Sequence, residues 1–207
     1  MAARPATNPR KEASQERSRA TVDALIEATA RILVRDGFDK ASTNRIACEA
    51  GVSIGSLYQY YPGKEALVAA VAERHGREIM KVARDALAQV SAEPIEVGVR
   101  SLVAAAIAAH RLDPKLHRAL AEQIPRTGAL KGVGDFNPEN YSLFRAYLDG
   151  HRHELRALDL DLAAFICVSS IEALTHTAIL HRPEILSDDA VGDLVDEATR
   201  LVLGYLR

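Results

Sequence analysis

Between Ser42 and Lys64 the chain reads STNRIACEAGVSIGSLYQYYPGK, a run with room for two short helices about a tight turn and little else. Ser42 or Thr43 is placed to accept from the free amides of the first helix, whose inner face carries Ile46, Ala47 and Ala50. Gly51 stops that helix, because glycine takes the left-handed backbone of an abrupt turn at no steric cost. Val52 fills the angle between the helices. Ser53 caps the second, which runs through Tyr60 with Leu57 and Tyr61 turned inward. Pro62 and Gly63 break it, and Lys64 opens a long helix reaching residues 87–90, with Leu67, Val71, Ile79, Val82 and Ala86 on its inner face.

The same helical period runs through the rest of the chain. From Ser18 to about Asp36, residues Val22, Leu25, Ile26, Thr29, Ile32 and Leu33 share one face, and Gly37 ends the helix as a C-cap. Residues 1–17, with Pro5, Pro9, Arg4, Arg10 and Lys11, read as a flexible basic arm. Beyond Pro94, Ile95, Val99, Leu102, Val103, Ala106 and His110 form a stripe, and Asp113 with Pro114 starts a helix containing Leu116, Leu120 and Ile124. Residues 125–138 are rich in glycine and proline and read as a loop. Three more helices are expected from Glu139 to about Leu158, from Leu160 or Asp161 to about His181, and from Ser187 to Tyr205. No long Val/Ile/Thr alternation argues for a sheet. The expected fold is all-α with about nine helices: a three-helix helix-turn-helix domain over 18–64 and a larger helical domain over 65–207.

Composition narrows the setting. Cys48 and Cys167 lie far apart and in no ligand pattern, which suits a reducing cytoplasm, with Cys48 filling a small core site. The start of the chain has no signal-like apolar run, and no segment reaches the ~18 apolar residues of a membrane span. A cytoplasmic protein away from the membrane is expected. The net charge is only -2, but Lys and Arg outnumber Asp and Glu up to Lys64 and the balance reverses after it.

Chemistry for catalysis is missing. His151 and His153 stand two apart on a helix, roughly 200° around its axis, and make poor joint ligands even with Glu154 beside them. His176 and His181, five apart, are no better, and neither HExxH, a nucleotide loop nor Ser/His/Asp spacing occurs. No metal, cofactor or catalytic residue is expected. An all-α enzyme stays the rival from another class, and an accessory DNA protein or an activator without an effector stays the rival from the same one.

A helix fits the DNA major groove, about 12 Å wide, and a helix-turn-helix presents the start of its second helix to base edges. Ile54, Gly55, Ser56 and Gln59 lie on the outer side of that helix, where Ile54 suits a thymine methyl and Gln59 suits adenine. Thr43 and the amides behind it suit one phosphate, with Asn44 and Arg45 nearby. Tyr58, Tyr60 and Lys64 form the other side of the clamp. Tyr58, Tyr60 and Tyr61 are half of the chain's 6 tyrosines, and surplus hydroxyls need partners such as phosphates.

Over residues 18–68 the chain resembles the TetR/AcrR family of bacterial transcriptional repressors. The resemblance rests on Gly37, Phe38, Thr43, Ile46, Ala47, Ala50, Gly51, Val52, Ser53, Gly55, Ser56, Leu57, Tyr58, Tyr60, Tyr61, Lys64 and Leu67, with Glu65 after the lysine. It implies backbone contacts from Thr43, Ser56, Tyr58, Tyr60 and Lys64 and base contacts from Asn44, Ile54, Gly55 and Gln59, with Arg45 and Ser53 beside them. It also implies a homodimer on double-stranded DNA, released from a palindromic operator by a small-molecule effector. A symmetric site needs two readers, and the last two helices offer Leu162, Ile166 and Ala173, then Val191, Leu194, Val195, Ala198 and Val202 as the dimer interface, or as internal core. The implied cavity would draw on Leu102, His110, Phe136, Tyr141, Phe144, Tyr147 and Phe165, with Ile107, Leu120 and Cys167 also considered; core packing is the alternative for each. Tyr141, Phe144 and Tyr147 suggest a mainly hydrophobic effector.

Overall fold

The computed structural model describes residues 16–127 and 138–207, and every regular element among them is helical. In chain order the α-helices are α1 (Glu16–Asp36), α2 (Thr43–Glu49), α3 (Ile54–Tyr60), α4 (Lys64–Val90), α5 (Ile95–His110), α6 (Pro114–Thr127), α7 (Pro138–Gly150), α8 (Leu160–His181) and α9 (Val191–Leu206). Short 3-10 turns lie at Arg152–Glu154 and Pro183–Leu186. Of the basic arm expected over residues 1–17, only Glu16 and Arg17 are among the described residues, and they begin α1.

The helices form two compact units. Residues 16–76 and 115–127 make the first, and 77–114 and 138–207 the second. The division expected after Lys64 thus falls twelve residues further on. The reason is packing: Ala66, Leu67, Val68 and Val71 of α4 are buried with Leu25, Ile32, Ile46 and Leu57, and Leu116 and Leu120 of α6 join the same core. Leu120 is therefore a core residue of the first unit and lines no cavity in the second.

Local signals set the helix ends of the first unit. The Gly37 amide donates to the Leu33 carbonyl at 3.1 Å and closes α1. Ser42 is the N-cap of α2, its Oγ accepting from the Arg45 amide at 3.3 Å. Gly51 has φ +68°, a left-handed conformation that strains any residue with a Cβ. Ser53 caps α3, accepting from the Ser56 amide at 3.0 Å. Cys48 is exposed rather than in the core, because Ile46 and Ala47 occupy the inner positions of this seven-residue helix.

In the second unit Ile95, Val99 and Ile107 of α5 pack with Leu148 of α7, Ala163 and Ile179 of α8, and Val195, Val202 and Leu206 of α9. At Gly98 a Cβ would overlap the Tyr147 hydroxyl, so glycine is what lets α5 and α7 approach. Pro94 gives α5 no side-chain cap; instead the Glu154 carboxylate accepts from the Ile95 amide at 3.2 Å. His151 is buried, with Nδ1 2.9 Å from the Tyr147 carbonyl and Nε2 3.0 Å from that of Glu93, so it clasps the end of α7 to the turn before α5.

Three element boundaries differ from the sequence reading. Helix α7 ends at Gly150, because the chain must turn so that Asp159 can cap α8 through the Asp161 and Leu162 amides at 2.9 and 3.1 Å. Helix α6 continues past Pro125 to Thr127, although the proline forfeits one backbone hydrogen bond there. Helix α9 begins at Val191, four residues late, since the Pro183–Leu186 turn precedes it. By length and composition α8 is also apolar enough to cross a membrane, contrary to the expectation of no such segment. It lacks a polar stripe because its inner side packs into the core while its outer side carries Leu162, Phe165 and Leu174.

Candidate functional site

Helices α2 and α3 place one exposed, hydroxyl-bearing face on the first unit. Thr43 opens α2 and Tyr58 lies fifteen residues later on α3, yet their side-chain oxygens are 3.1 Å apart. Ser53 Oγ and Ser56 Oγ are 2.8 Å apart at the start of α3. Asn44, Ile54, Gly55 and Gln59 are exposed beside them. Ile54, at 38% exposure, is a large apolar side chain left outside, and a Cβ at Gly55 would meet nothing nearer than Ser53 Oγ at 3.8 Å. Internal packing therefore gives no reason for glycine there, whereas a surface approached closely by an outside partner does.

Tyr60 departs from its expected position. It is 7% exposed and its ring sits with Tyr61 in the core, which leaves only a sliver for a phosphate. The reason is that a seven-residue helix buries a broad arc, and Leu57 with Tyr60 fills it.

The cations near this face are held within the protein. Arg45 donates to Asp36 Oδ2 at 2.6 Å and to the Lys40 carbonyl at 2.7 Å. Arg35 and Arg31 both meet Glu49, at 3.0 and 3.3 Å. The hydrogen bond from Arg35, reinforced by Arg31 and opposed by desolvation, holds the Glu49 carboxyl below its usual value. Desolvation pushes Asp36 up, but Arg35 and Arg45 outweigh it and its pKa falls. Lys64 Nζ donates to the Phe38 carbonyl at 3.3 Å and lies 4.1 Å from the centre of that ring. Arg45 and Lys64 thus both have partners within the protein.

The second unit contains a cavity between α4, α5, α7, α8 and α9. Its atom-free space is about 790 Å³ with the mouth included, of which the centre of a water molecule can visit about 110 Å³. Among the described residues its walls are mainly aliphatic, with the Phe144 ring among them, and its polar lining is His110, Asn140 and Glu172. Asn140 Nδ2 donates to Glu172 Oε1 at 3.1 Å. Burial raises the Glu172 pKa, with the Asn140 bond acting against it. Burial alone lowers that of His176, whose ring meets His110 edge-on at 6.0 Å between centroids. Cys167 also lines the space, and burial pushes its thiol up to about 12, so it stays protonated and unreactive.

Of the cavity residues expected from sequence, Leu102, His110, Phe144 and Cys167 line it. Tyr147 and Ile107 belong to the core instead, since α7 turns Tyr147 onto Gly98 and α5 turns Ile107 inward. Burial drives the Tyr147 hydroxyl up to about 12. Tyr141 stacks on Phe165, at 5.9 Å, and its hydroxyl meets Ser169 Oγ at 3.3 Å, while Phe165 is 52% exposed on the outer side of α8; neither lines the cavity. Phe136 lies outside the described residues. Asn140 and Glu172 were missed, although Glu172 is the one carboxylate of α8 beyond its first turn.

The profile described as "Bacterial regulatory proteins, tetR family" matches residues 25–71. That described as "Tetracyclin repressor-like, C-terminal domain" matches residues 94–206, more than half of the chain. The chain belongs to the tetR family. It is a DNA-binding, helix-turn-helix regulator of transcription with a ligand-binding domain, and not an enzyme. No curated protein matches it in sequence. Among solved structures, the fatty acid degradation regulator FadR from Bacillus halodurans has a TM-score of 0.68 at 22% identity, over 90% of this chain and 96% of that one. A proposed transcriptional regulator from Pseudomonas aeruginosa PAO1 has a TM-score of 0.65 at 27% identity, over 94% and 97%. SmeT, solved in complex with triclosan, has a TM-score of 0.64 at 19% identity, over 88% and 90%.

In this tetR-family chain the dimer candidates divide. Leu162 and Ala173 are exposed on α8 and Ile166 is half-buried. Val195, Ala198 and Val202 are instead in the core, at 6%, 3% and 2% exposure, and Val191 and Leu194 pack against it. The apolar stripe of α9 is used up inside its own unit, leaving Leu201, at 53% exposure, as the large apolar residue on its outer side. Ile166, Ser170, Leu201 and Tyr205 line a shallow groove between α8 and α9.

Proposed function

We propose that this tetR-family regulator acts as a cytoplasmic homodimer that represses transcription from a two-fold symmetric operator and is released by a small, mainly hydrophobic effector. The observation that carries the reading is the hydroxyl pair of Thr43 and Tyr58 on an exposed face that also bears Ile54, Gly55 and Gln59. Hydroxyls and the adjoining helix amides suit phosphate oxygens, and Ile54 and Gln59 suit base edges. Asn44, Ser53 and Ser56 extend the polar part of the face; Arg45 and Lys64 join it by exchanging or sharing their internal partners.

Two readers must be held a helical turn apart, or a multiple of it. Leu162, Phe165, Leu174 and Leu201 leave α8 and α9 with an apolar exterior that a second copy would cover. The cavity of the second unit supports an apolar effector, as do the names of FadR, a regulator of fatty acid degradation, and of SmeT with its bound triclosan. Helix α4 contributes to both units: Leu67 and Val71 to the first core, Ile79 and Leu87 to the cavity wall. An effector that favours the conformation with lower DNA affinity weakens DNA binding by linkage.

The test is fluorescence anisotropy with labelled duplexes from the DNA upstream of the chain's own coding sequence. Saturable retention of a palindromic segment, weakened by salt and absent for a scrambled duplex, is the expected result. A folded dimer that retains no duplex above the scrambled control would refute the reading.

A further inference from the structure

The polar end of the cavity has a definite sign. Glu172 offers a carboxylate with about four acceptor positions, and its hydrogen-bond partner among the described residues is Asn140. No Lys or Arg is among the described residues lining the space. Arg84, next to the lining residue Ala83, is paired with Glu139 Oε1 at 2.6 Å. His110 Nδ1 donates to the Ala106 carbonyl at 2.7 Å. Burial also favours neutral His176. The pole therefore presents the Glu172 carboxylate, with no cation beside it among the described lining residues, in surroundings dry enough to raise its pKa.

We propose that this cavity selects amphiphiles bearing a protonated amine, with the ammonium seated against Glu172 and Asn140 and the apolar body against Leu102, Leu143 and Phe144. The proposal rests on the effector reading above and names the chemistry of the effector. An ammonium supplies three donors and the opposite charge to a carboxylate that burial otherwise penalises. A carboxylate ligand would instead bring a second anion into the same space, with no cation among the described lining residues, and like charges in a low-dielectric site repel strongly. The site thus differs in sign from one built to hold the head of a free fatty acid.

Titration calorimetry of the full-length protein with decylamine, decanol and decanoate, each below its micelle threshold at pH 7, tests this. Decylamine should bind at least about tenfold tighter than decanol, with decanoate weakest, as a charge-assisted hydrogen bond implies. Glu172→Gln should cut the amine advantage below about twofold and leave decanol within about twofold of wild type. Decanoate matching or exceeding decylamine, an amine advantage that survives Glu172→Gln, or no binding of any of the three would each overturn the proposal. The wild-type ranking decides even if the variant fails to fold. DNA release is read separately: the predicted ranking without release refutes the effector role and keeps the amine site, whereas failure to bind any DNA refutes the operator reading alone.

Discussion

Replacing Thr43 with Val and Tyr58 with Phe, singly and together, interrogates the reading face through a count of protons. Their oxygens are 3.1 Å apart, and either can be the donor. Two hydroxyls carry two protons and their mutual bond takes one, so one is left for a phosphate oxygen. Removing either hydroxyl abolishes the mutual bond but frees the survivor's proton for the same phosphate. Each single change should therefore weaken DNA binding by under about 1 kcal/mol per half-site, the size of a neutral hydrogen bond. The double change removes the charge-assisted bond, about 1.5–3 kcal/mol per half-site. Over a two-fold site that is roughly 10²- to 10⁴-fold in Kd, against at most about 30-fold for either single change. Anisotropy at one fixed salt concentration measures all four proteins, because salt alone shifts such affinities. Ser42, not Thr43, caps α2, and Tyr58 is 42% exposed, so circular dichroism should show all four folded. If either single change already costs as much as the pair, the shared proton is refuted. If the double variant binds like wild type, this face does not touch phosphate.

Other consequences are open to direct measurement. Burial raises the Glu172 pKa in the folded state, so the fold holds a proton that the unfolded chain has released, and stability falls as pH rises from 4.5 through the folded value. Ligand-free Glu172→Gln should accordingly melt above wild type at pH 7, with the difference vanishing below pH 4.5; a difference independent of pH would exclude this cause. The Tyr147 hydroxyl is buried without a hydrogen-bond partner among the described residues, so Tyr147→Phe should raise the urea-unfolding free energy by about 1–2 kcal/mol. Gly98→Ala, whose methyl would overlap that hydroxyl, should lower it by about 1–3 kcal/mol, and an unchanged midpoint would deny the close approach of α5 and α7. Leu201→Glu should yield a folded monomer in light scattering, whereas Val202→Ala should keep the dimer and lose about 1–3 kcal/mol of stability; the reverse pattern would restore the α9 stripe to the interface.

Much of the reading face was legible along the chain because its determinants are local. Gly37, Ser42, Gly51 and Ser53 act on the backbone within a few residues of themselves, so they mark the ends of α1, α2 and α3 without knowledge of the rest. The helical period then assigns Ile54 and Gln59 to one side of α3 and Leu57 to the other. The acid–base balance around the face was not legible in this way. Arg45 reaches Asp36 across a turn, and Glu49 joins Arg31 and Arg35 across two helices.

In the second unit the period again told which residues share a side, as with Val195, Ala198 and Val202 on α9. It carries no information on whether that side meets α5 or another copy of the chain, since the same apolar stripe satisfies either partner. Tertiary packing settled it by burying the stripe against α5 and α8 and leaving Leu201 outside. Packing likewise brought Asn140 to Glu172 from 32 positions away and turned Tyr147 away from the cavity onto Gly98. Helix type and ends followed from short-range backbone and side-chain chemistry, whereas the cavity and the surplus apolar surface followed from which faces meet, a property of the assembled helices and not of any one of them.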